Sequence, residues 1–373
     1  MKIVVACGGT GGHAFPGLAV AEEMSRRGHE VVVWDSGRDI ESSVMKRWKG
    51  PVFSTGARQL AARNVFAIVR SIARCRKEMK RYKPDALLAM GCYSSLPPVL
   101  AARSCGVRVF LHEANTVPGK AVEFLSRFAD VVATSFTGTA ARLPGVKTER
   151  TGLPIRSDIA SGSRFSFIPA GSFVVFVTGG SQGAHAVNEL AVAALSMFWR
   201  ELEKRRSQGG AEGVRPLYVI HQTGVLDEGP VIGSYAAARL PSRVHSFEKE
   251  MADALASADV VIARAGASTC FELAACGKPA LLVPLPSAVR DHQHFNAAAF
   301  ASAGAADEGV QAKLAPRQLC RYLLNLYDNP AKLDAMSSKM RSLAVPDAAA
   351  RVADMIERTV RSGTADETRG TQA

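Results

Sequence analysis

The feature that most restricts the fold is a strand-to-helix turn made largely of glycine, and it occurs twice. Near the start, the apolar run Val4-Val5-Ala6-Cys7 gives way to Gly8-Gly9-Thr10-Gly11-Gly12-His13. At mid-chain, Val174-Val175-Phe176-Val177-Thr178 gives way to Gly179-Gly180-Ser181-Gln182-Gly183-Ala184. A buried strand that turns this abruptly into a helix is the signature of a parallel α/β sheet. The surrounding rhythm agrees: apolar, β-branched runs at Lys2 to Ala6, Glu30 to Trp34, Ala86 to Ala89, Arg108 to His112 and Val131 to Ala133 are separated by helix-length segments. The rhythm breaks over the polar, Gly/Ser/Pro-bearing stretch Thr151 to Ser172. It restarts at Phe173 to Val177, Leu217 to His221, Arg243 to Ser246, Asp259 to Ile262 and Ala280 to Val283. The expected fold is therefore α/β, with two Rossmann-like, doubly wound domains facing across a cleft. The expected bounds are 1–157 and 158–345, then a last helix at 346–360 packing back on the first domain and a disordered polar tail at 361–373. A length of 373 residues suits two domains.

Composition narrows the function classes. No apolar run reaches 18 residues, so no spanning helix is expected, and the opening Met1 to Gly9 is too short for a signal-peptide core, so the expected location is the cytoplasm. The 7 cysteines are scattered without metal-ligand spacing, so they read as reduced thiols. A net charge of +12 favours an anionic partner: nucleic acid, a phosphate-bearing substrate or an acidic membrane face.

Each glycine loop opens a helix, so backbone N–H groups and the positive helix end can meet a diphosphate while glycine lets the backbone approach closely. The other reading is a tight turn with no ligand. Gly9, Gly11 and Gly12 miss the Gly-x-Gly-x-x-Gly spacing of dinucleotide binding, although Asp35 at a strand end keeps that alternative open. His13 ends the first loop where the helix begins, behind residues with almost no side chain to bury it. A helix N-terminus favours the neutral imidazole, which suits a proton acceptor. In the second half, Arg264-Ala265-Gly266-Ala267-Ser268-Thr269 follows a strand, with Glu272 expected in the first turn of the next helix. A capping box of Ser268 or Thr269 with Glu272 would account for these residues equally. Asp291-His292-Gln293-His294-Phe295-Asn296-Ala297 is dense in polar groups at a strand exit, where ligand contacts and helix caps both fit.

These strings together resemble the MurG family: Gly8 to Ala19, Gly179 to Ala184, Arg264-Ala-Gly-Ala with Glu272, and Asp291-x-Gln293-x-x-Asn296-Ala297, in order from Met1 to about Val360. The resemblance implies a GT-B glycosyltransferase of peptidoglycan synthesis. Such an enzyme inverts and uses no cofactor and no metal. It moves N-acetylglucosamine from UDP-N-acetylglucosamine to the 4-hydroxyl of an undecaprenyl-diphosphate-linked muramyl pentapeptide. It implies His13 as the base. For the donor it implies Thr10, Gly11, Gly12, Asn115, Arg156, Ser181, Ala267, Thr269, Glu272 and Gln293, with Glu272 on the ribose hydroxyls and Gln293 on the sugar. Tyr93 and Ser94 fall on the acceptor side. This chain departs from the family at Gly91-Cys92-Tyr93-Ser94-Ser95-Leu96-Pro97, where two glycines are lost, at Gly152-Leu153-Pro154, and at Ala114 before Asn115. The Cys92 and Leu96 departures are the one argument for a diacylglycerol acceptor instead. The glycine loops alone would admit a nicotinamide-dependent oxidoreductase.

Arg58 to Lys83 holds nine Lys/Arg against the single acid Glu78. Within it Asn64 to Tyr82 reads as a helix, with Val65, Ile68, Val69, Ile72 and Met79 at helical spacing and a basic stripe at Arg70, Arg74, Lys77 and Arg81. A solvated charged face is the plain reading. The family resemblance puts a membrane-contacting patch at Phe66, Val69 and Ile72, flanked by Arg70 and Arg74. The expected partner is then an anionic membrane surface on the cytoplasmic face, and not nucleic acid.

Overall fold

The computed structural model describes residues 1–9, 11–37, 45, 47–58, 64–180, 182–209 and 213–370, with backbone alone for 363–370. The chain divides into two compact units, Met1–Arg156 with Val345–Ala373, and Ser157–Ala344.

The first unit runs β1 (Lys2–Ala6), α1 (Gly11–Arg26), β2 (Glu30–Asp35), β3 (Val52–Ser54), α2 (Val65–Tyr82), β4 (Ala86–Ala89), α3 (Leu96–Ser104), β5 (Arg108–Glu113), α4 (Lys120–Leu125), β6 (Val131–Thr134) and β7 (Thr148–Arg150). Its strands are all parallel, in the order β3-β2-β1-β4-β5-β6-β7. The winding reverses between β1 and β4, so the loops leaving these two strands diverge and open a crevice at their carboxyl ends. Alternation along β1 feeds two cores. Ile3 and Val5 pack with Leu18 and Met24 of α1, while Val4 and Ala6 pack with Cys75 and Met79 of α2.

The second unit repeats the winding. It runs β8 (Phe173–Thr178), α5 (His185–Gly209), β9 (Leu217–Gln222), α6 (Glu228–Ala237), β10 (Ser242–His245), α7 (Met251–Ser257), β11 (Val260–Ala263), α8 (Ala267–Cys276), β12 (Ala280–Leu282), α9 (His292–Ser302), β13 (Ala306–Glu308), α10 (Pro316–Asp328) and α11 (Pro330–Ser342). The parallel order β10-β9-β8-β11-β12-β13 puts its reversal between β8 and β11. The polar stretch before β8 packs on this unit: Phe165 N donates to Ser257 Oγ at 2.9 Å, and the Arg164 guanidinium donates to the carbonyls of Ser257 and Ser172.

The last helix, α12 (Ala348–Gly370), lies on α1 in the first unit. Val352, Met355 and Ile356 join the core beside Leu18 and Met24, and Arg27 pairs with Asp354 at 2.6 Å and Glu357 at 3.2 Å. The sequence expects this helix to stop at Val360, yet it continues to Gly370. No proline intervenes, and Gly363 alone does not break a helix. Three strands also exceed expectation: β3, β7 and β13, each of 3 residues.

Helix α1 lies so close to β1 that a Cβ on Gly17 would stand 2.2 Å from the Cys7 Cβ and 3.1 Å from the Met90 Cγ. Gly17→Ala gains about 1 kcal/mol of helix propensity but meets an overpacking cost of about 1–3 kcal/mol. The variant should therefore show a lower urea midpoint. Gly233→Ala in α6, where a Cβ meets nothing within 4 Å, should show a higher one.

Candidate functional site

In the first unit the site grows from the exits of β1, β4 and β5. Gly8 has no room for a side chain, because a Cβ would lie 2.5 Å from Ser36 N at the exit of β2. The chain turns through Gly9 at φ +120° and enters α1 at Gly11, with Gly12 exposed and His13 half-buried behind it. His13 Nδ1 lies 2.8 Å from the Met90 carbonyl oxygen at the exit of β4. A carbonyl only accepts, so Nδ1 carries the proton and the lone pair is on Nε2.

The loop after β4 is tied to the glycine loop. Cys92 Sγ and Ser94 Oγ both donate to the Gly8 carbonyl, at 2.6 and 2.9 Å. Ser94 is thus buried and engaged within the unit, while Tyr93 is half-exposed. The Cys92 thiol is held protonated, since burial pushes its pKa up. Gly91, at φ +78°, lets this loop pass the exit of β5, where a Cβ would sit 2.6 Å from the His112 oxygen.

Two buried groups at the exit of β5 gave no sign of themselves in the spacing beyond their place in the string His112-Glu113-Ala114-Asn115. His112 Nε2 donates to the Gly152 carbonyl at 3.1 Å and its Nδ1 is buried with no hydrogen-bond partner. Burial, with the nearby His13 adding to it, pushes the His112 pKa down to about 4, so the ring is neutral. Glu113 accepts from Asn115 N at 2.8 Å, Asn115 Nδ2 at 3.2 Å and Gly119 N at 2.9 Å. Its burial pushes the carboxyl up to about 7 against the opposite pull of those N–H groups. Asn115 is therefore oriented by Glu113. Arg156 lays its guanidinium over the Phe15 ring of α1, 5.1 Å from the centroid.

In the second unit Gly179 to Ala184 turns from β8 into α5. Gly180 N donates to Thr178 Oγ1 at 3.1 Å, and Gln222 Nε2 donates to the Gly180 carbonyl at 2.8 Å. Thr10 and Ser181, the polar residues expected in the two glycine loops, lie outside the described residues. After β11, helix α8 begins at Ala267 with Gly266 as its cap, and no side chain caps it. This corrects the capping-box alternative and the placement of Glu272 in the first turn. The glycine cap starts the helix ahead of Ser268, so Glu272 lies in the second turn, half-buried, with Ala267 buried and Thr269 half-buried at the helix start. The loop beyond β12 is fastened to this segment. Arg264 Nη1 donates to the carbonyls of Val283 and Pro284, at 3.2 and 3.1 Å, while Asn296 Nδ2 donates to the Ala265 carbonyl at 3.1 Å. Gln293 Oε1 accepts from Leu285 N at 2.9 Å. Arg290 and Asp291 both adopt left-handed backbone, at φ +55° and +54°, a conformation that non-glycine residues rarely adopt and that concentrates at functional loops. Asp291 makes no side-chain cap to α9. Ala267, Thr269, Glu272 and Gln293 therefore gather at the exits of β11 and β12, beside the reversal in this sheet.

The residues expected to contact a membrane sit on α2, where only Ser71, Cys75 and Met79 are buried. Phe66 is 92% exposed and Val69 58%, with Ile72 half-buried and Arg70 and Arg74 exposed beside them. Among the described residues no helix is long and apolar enough to cross a membrane, and no cluster of His, Cys, Asp or Glu could hold a metal ion.

The two halves match the glycosyltransferase family 28 N-terminal domain over residues 3–134 and the glycosyltransferase family 28 C-terminal domain over residues 174–352. A protein of Citrifermentans bemidjiense, named as a UDP-N-acetylglucosamine–N-acetylmuramyl-(pentapeptide) pyrophosphoryl-undecaprenol N-acetylglucosamine transferase, is 35% identical over 360 residues, spanning 94% of this chain and 97% of its own. One of Solidesulfovibrio magneticus with the same name is 37% identical over 363 residues, 94% of this chain and 96% of its own. The crystal structure of Acinetobacter baumannii MurG aligns with a TM-score of 0.75 at 32% identity, covering 96% of this chain and 99% of that one. UDP-GlcNAc 2-epimerase from Neisseria meningitidis aligns with a TM-score of 0.69 at 13% identity, covering 96% and 100%, a likeness of fold alone.

Glu113→Gln replaces an acceptor that takes three N–H bonds with an amide that meets some of them with its own N–H. The unfolding free energy from urea titration should fall by about 1–3 kcal/mol, the usual cost of leaving a buried donor unsatisfied.

Proposed function

Because the chain belongs to the glycosyltransferase family 28 group of UDP-N-acetylglucosamine–N-acetylmuramyl-(pentapeptide) pyrophosphoryl-undecaprenol N-acetylglucosamine transferases, we infer its reaction from that of the group. It is a glycosyltransferase of peptidoglycan synthesis. It transfers N-acetylglucosamine from UDP to the muramyl pentapeptide on undecaprenyl diphosphate and so converts lipid I to lipid II.

The finer chemistry is a direct displacement with inversion. The 4-hydroxyl of the muramyl sugar attacks the anomeric carbon, the bond to the UDP oxygen breaks, and the hydroxyl proton passes to a base. The observation that carries this reading is the bond from His13 Nδ1 to the Met90 carbonyl, which sets the tautomer whose basic lone pair is on Nε2. On protonation the imidazolium keeps a charge-assisted bond to that carbonyl. The leaving diphosphate is met at the close turn of the glycine loop by N–H groups at the start of α5, a helix end that favours negative charge. Ala267 and Thr269 at the start of α8 lie by the donor, Glu272 accepts from the ribose hydroxyls, and Gln293 contacts the sugar. Gly11, Gly12, Asn115 and Arg156 complete the substrate contacts, with Thr10 and Ser181 assigned by resemblance alone. Tyr93 and Ser94 belong to the acceptor side, where Ser94 acts through the Gly8 carbonyl that it holds.

A base of this kind contributes about 10²–10⁴-fold to rate, and a carboxylate on two hydroxyls about 1.5–3 kcal/mol to binding. UDP-N-acetylglucosamine should raise the melting temperature, and NAD should leave it unchanged. Glu272→Ala should lose most of that rise. His13→Ala should keep it while turnover falls by about 10² or more. A Glu272→Ala protein of lower melting temperature but full donor affinity would make the residue structural, and full turnover in His13→Ala would remove it as the base.

The first unit also meets the membrane. The face of α2 that carries Phe66, Val69 and Ile72 is turned away from the core, and Val69, Ile72, Ala73, Arg76, Lys77 and Lys80 line a groove of about 490 Å³ that is apolar with a basic rim. Each cation near an anionic leaflet adds on the order of 1 kcal/mol, so this helix holds the protein reversibly at the cytoplasmic face, where its lipid-linked acceptor lies. Sedimentation with anionic vesicles should fall with salt and fall further in the triple variant Phe66→Asp, Arg70→Glu, Arg74→Glu, with donor affinity unchanged. Equal sedimentation of variant and parent would exclude α2.

A further inference from the structure

Beneath the glycine loop of the second unit lies a buried polar chain whose proton positions follow from its geometry. Asn188 Nδ2, on α5, is 2.8 Å from the Thr223 carbonyl oxygen and 2.7 Å from Asp227 Oδ2. Both partners are acceptors, so the amide nitrogen donates to each and Oδ1 must accept. His221 Nε2 lies 3.1 Å from that Oδ1 and therefore bears the ring proton. The other ring nitrogen, Nδ1, is then unprotonated and accepts from the Tyr235 hydroxyl at 2.9 Å. Every polar atom of the imidazole is used, in one tautomer. His221, Asn188 and Tyr235 are all buried, and burial pushes the His221 pKa down to about 3, so the ring stays neutral at physiological pH. The outer end of the chain is Asp227, whose Oδ1 bonds His185 Nδ1 at 2.9 Å on the exposed first turn of α5.

The inner end of the chain supports the loop. A Cβ on Gly183 would stand 2.1 Å from the Thr223 oxygen, and one on Gly224 would stand 2.6 Å from the Gln182 oxygen. The backbone of the glycine loop thus rests directly on the Thr223 carbonyl that Asn188 holds. Gln222, next to His221, donates to Gly180 at the other side of the loop. A shift of the His221 ring would pass through the Asn188 amide to Thr223, whose carbonyl meets the loop backbone directly.

We propose that His221 is a positioning residue for the diphosphate of the donor: as the Nε2-protonated imidazole it orients Asn188, and through Thr223 it sets the backbone of Gln182 and Gly183 that leads into the start of α5. This rests on the reading of that loop as the diphosphate site.

The test compares UDP with uridine as ligands of the full-length protein, by titration followed with ligand-observed NMR. Uridine lacks the diphosphate and so reports the rest of the site. His221→Leu should weaken UDP about tenfold while leaving uridine affinity within about twofold. His221→Gln, which can donate to Asn188 and accept from Tyr235, should recover most of the UDP affinity. Tyr235→Phe removes one hydrogen bond at nearly constant volume, so it keeps the test open if His221→Leu fails to fold, and it should weaken UDP and spare uridine in the same way. A parallel loss of UDP and uridine affinity would mean that His221 supports the whole domain, and unchanged UDP affinity would mean that it does not position the loop. Either result overturns the proposal. Failure of the parent protein to bind UDP would overturn the diphosphate reading beneath it, and the proposal with it.

Discussion

Where β8 turns into α5, a Cβ on Gly179 would stand 2.4 Å from the Ala184 nitrogen and one on Gly183 would stand 2.1 Å from the Thr223 oxygen. Where β1 turns toward α1, a Cβ on Gly8 would meet Ser36 N at 2.5 Å. The same exclusion of side chains operates at the reversal point of both sheets, and much else depends on it. It lets a helix begin within a few residues of a buried central strand, with its unpaired N–H groups at the carboxyl edge of the sheet. It also lets neighbouring strand exits come into backbone contact, so that Met90, Cys92 and Ser94 can hold the first loop and Gln222 to Gly224 the second. The strand exits are built by close backbone approach, and the side chains gathered there are placed by it.

Because glycine is visible in a sequence, this part of the fold was legible: both loops, the strands flanking them and the two-unit division follow from runs such as Val4 to Ala6 and Phe173 to Thr178. The edge strands β3, β7 and β13 were not, because an edge strand of three residues need not be an apolar run, and Thr148–Arg150 is polar throughout. The start of α8 was misplaced by the preference of Ser and Thr for cap positions, which Gly266 overrode. In α2 the apolar spacing ran from Val65 to Met79 without saying which of its residues face the core. The core takes Ser71, Cys75 and Met79, and most of the apolar stripe lies outward. Periodicity locates a stripe on a helix but does not say which environment the stripe meets. Least visible were His112, Glu113 and His221, because burial comes from the tertiary packing around a strand exit and leaves no local pattern.

Those three groups share a physical character. Each is a titratable side chain withdrawn from water, with His112 and His221 kept neutral and Glu113 raised to about 7. A neutral buried imidazole with defined partners has one tautomer and one orientation, which suits holding a backbone segment in place. His13 differs from them in being half-buried at the start of a helix. The fold does not choose the reaction, since an epimerase shares it at 13% identity. The full-length kinship with named transferases does.

The most direct measurement follows UDP-N-acetylglucosamine labelled in the sugar, incubated with the protein and a muramyl-pentapeptide lipid acceptor. UDP release should depend on the acceptor and match, mole for mole, the label appearing in lipid, and the new glycosidic bond should have the anomeric configuration opposite to that of the donor. UDP release that is indifferent to the acceptor, or a product that retains the donor's configuration, would contradict a direct displacement by the muramyl hydroxyl.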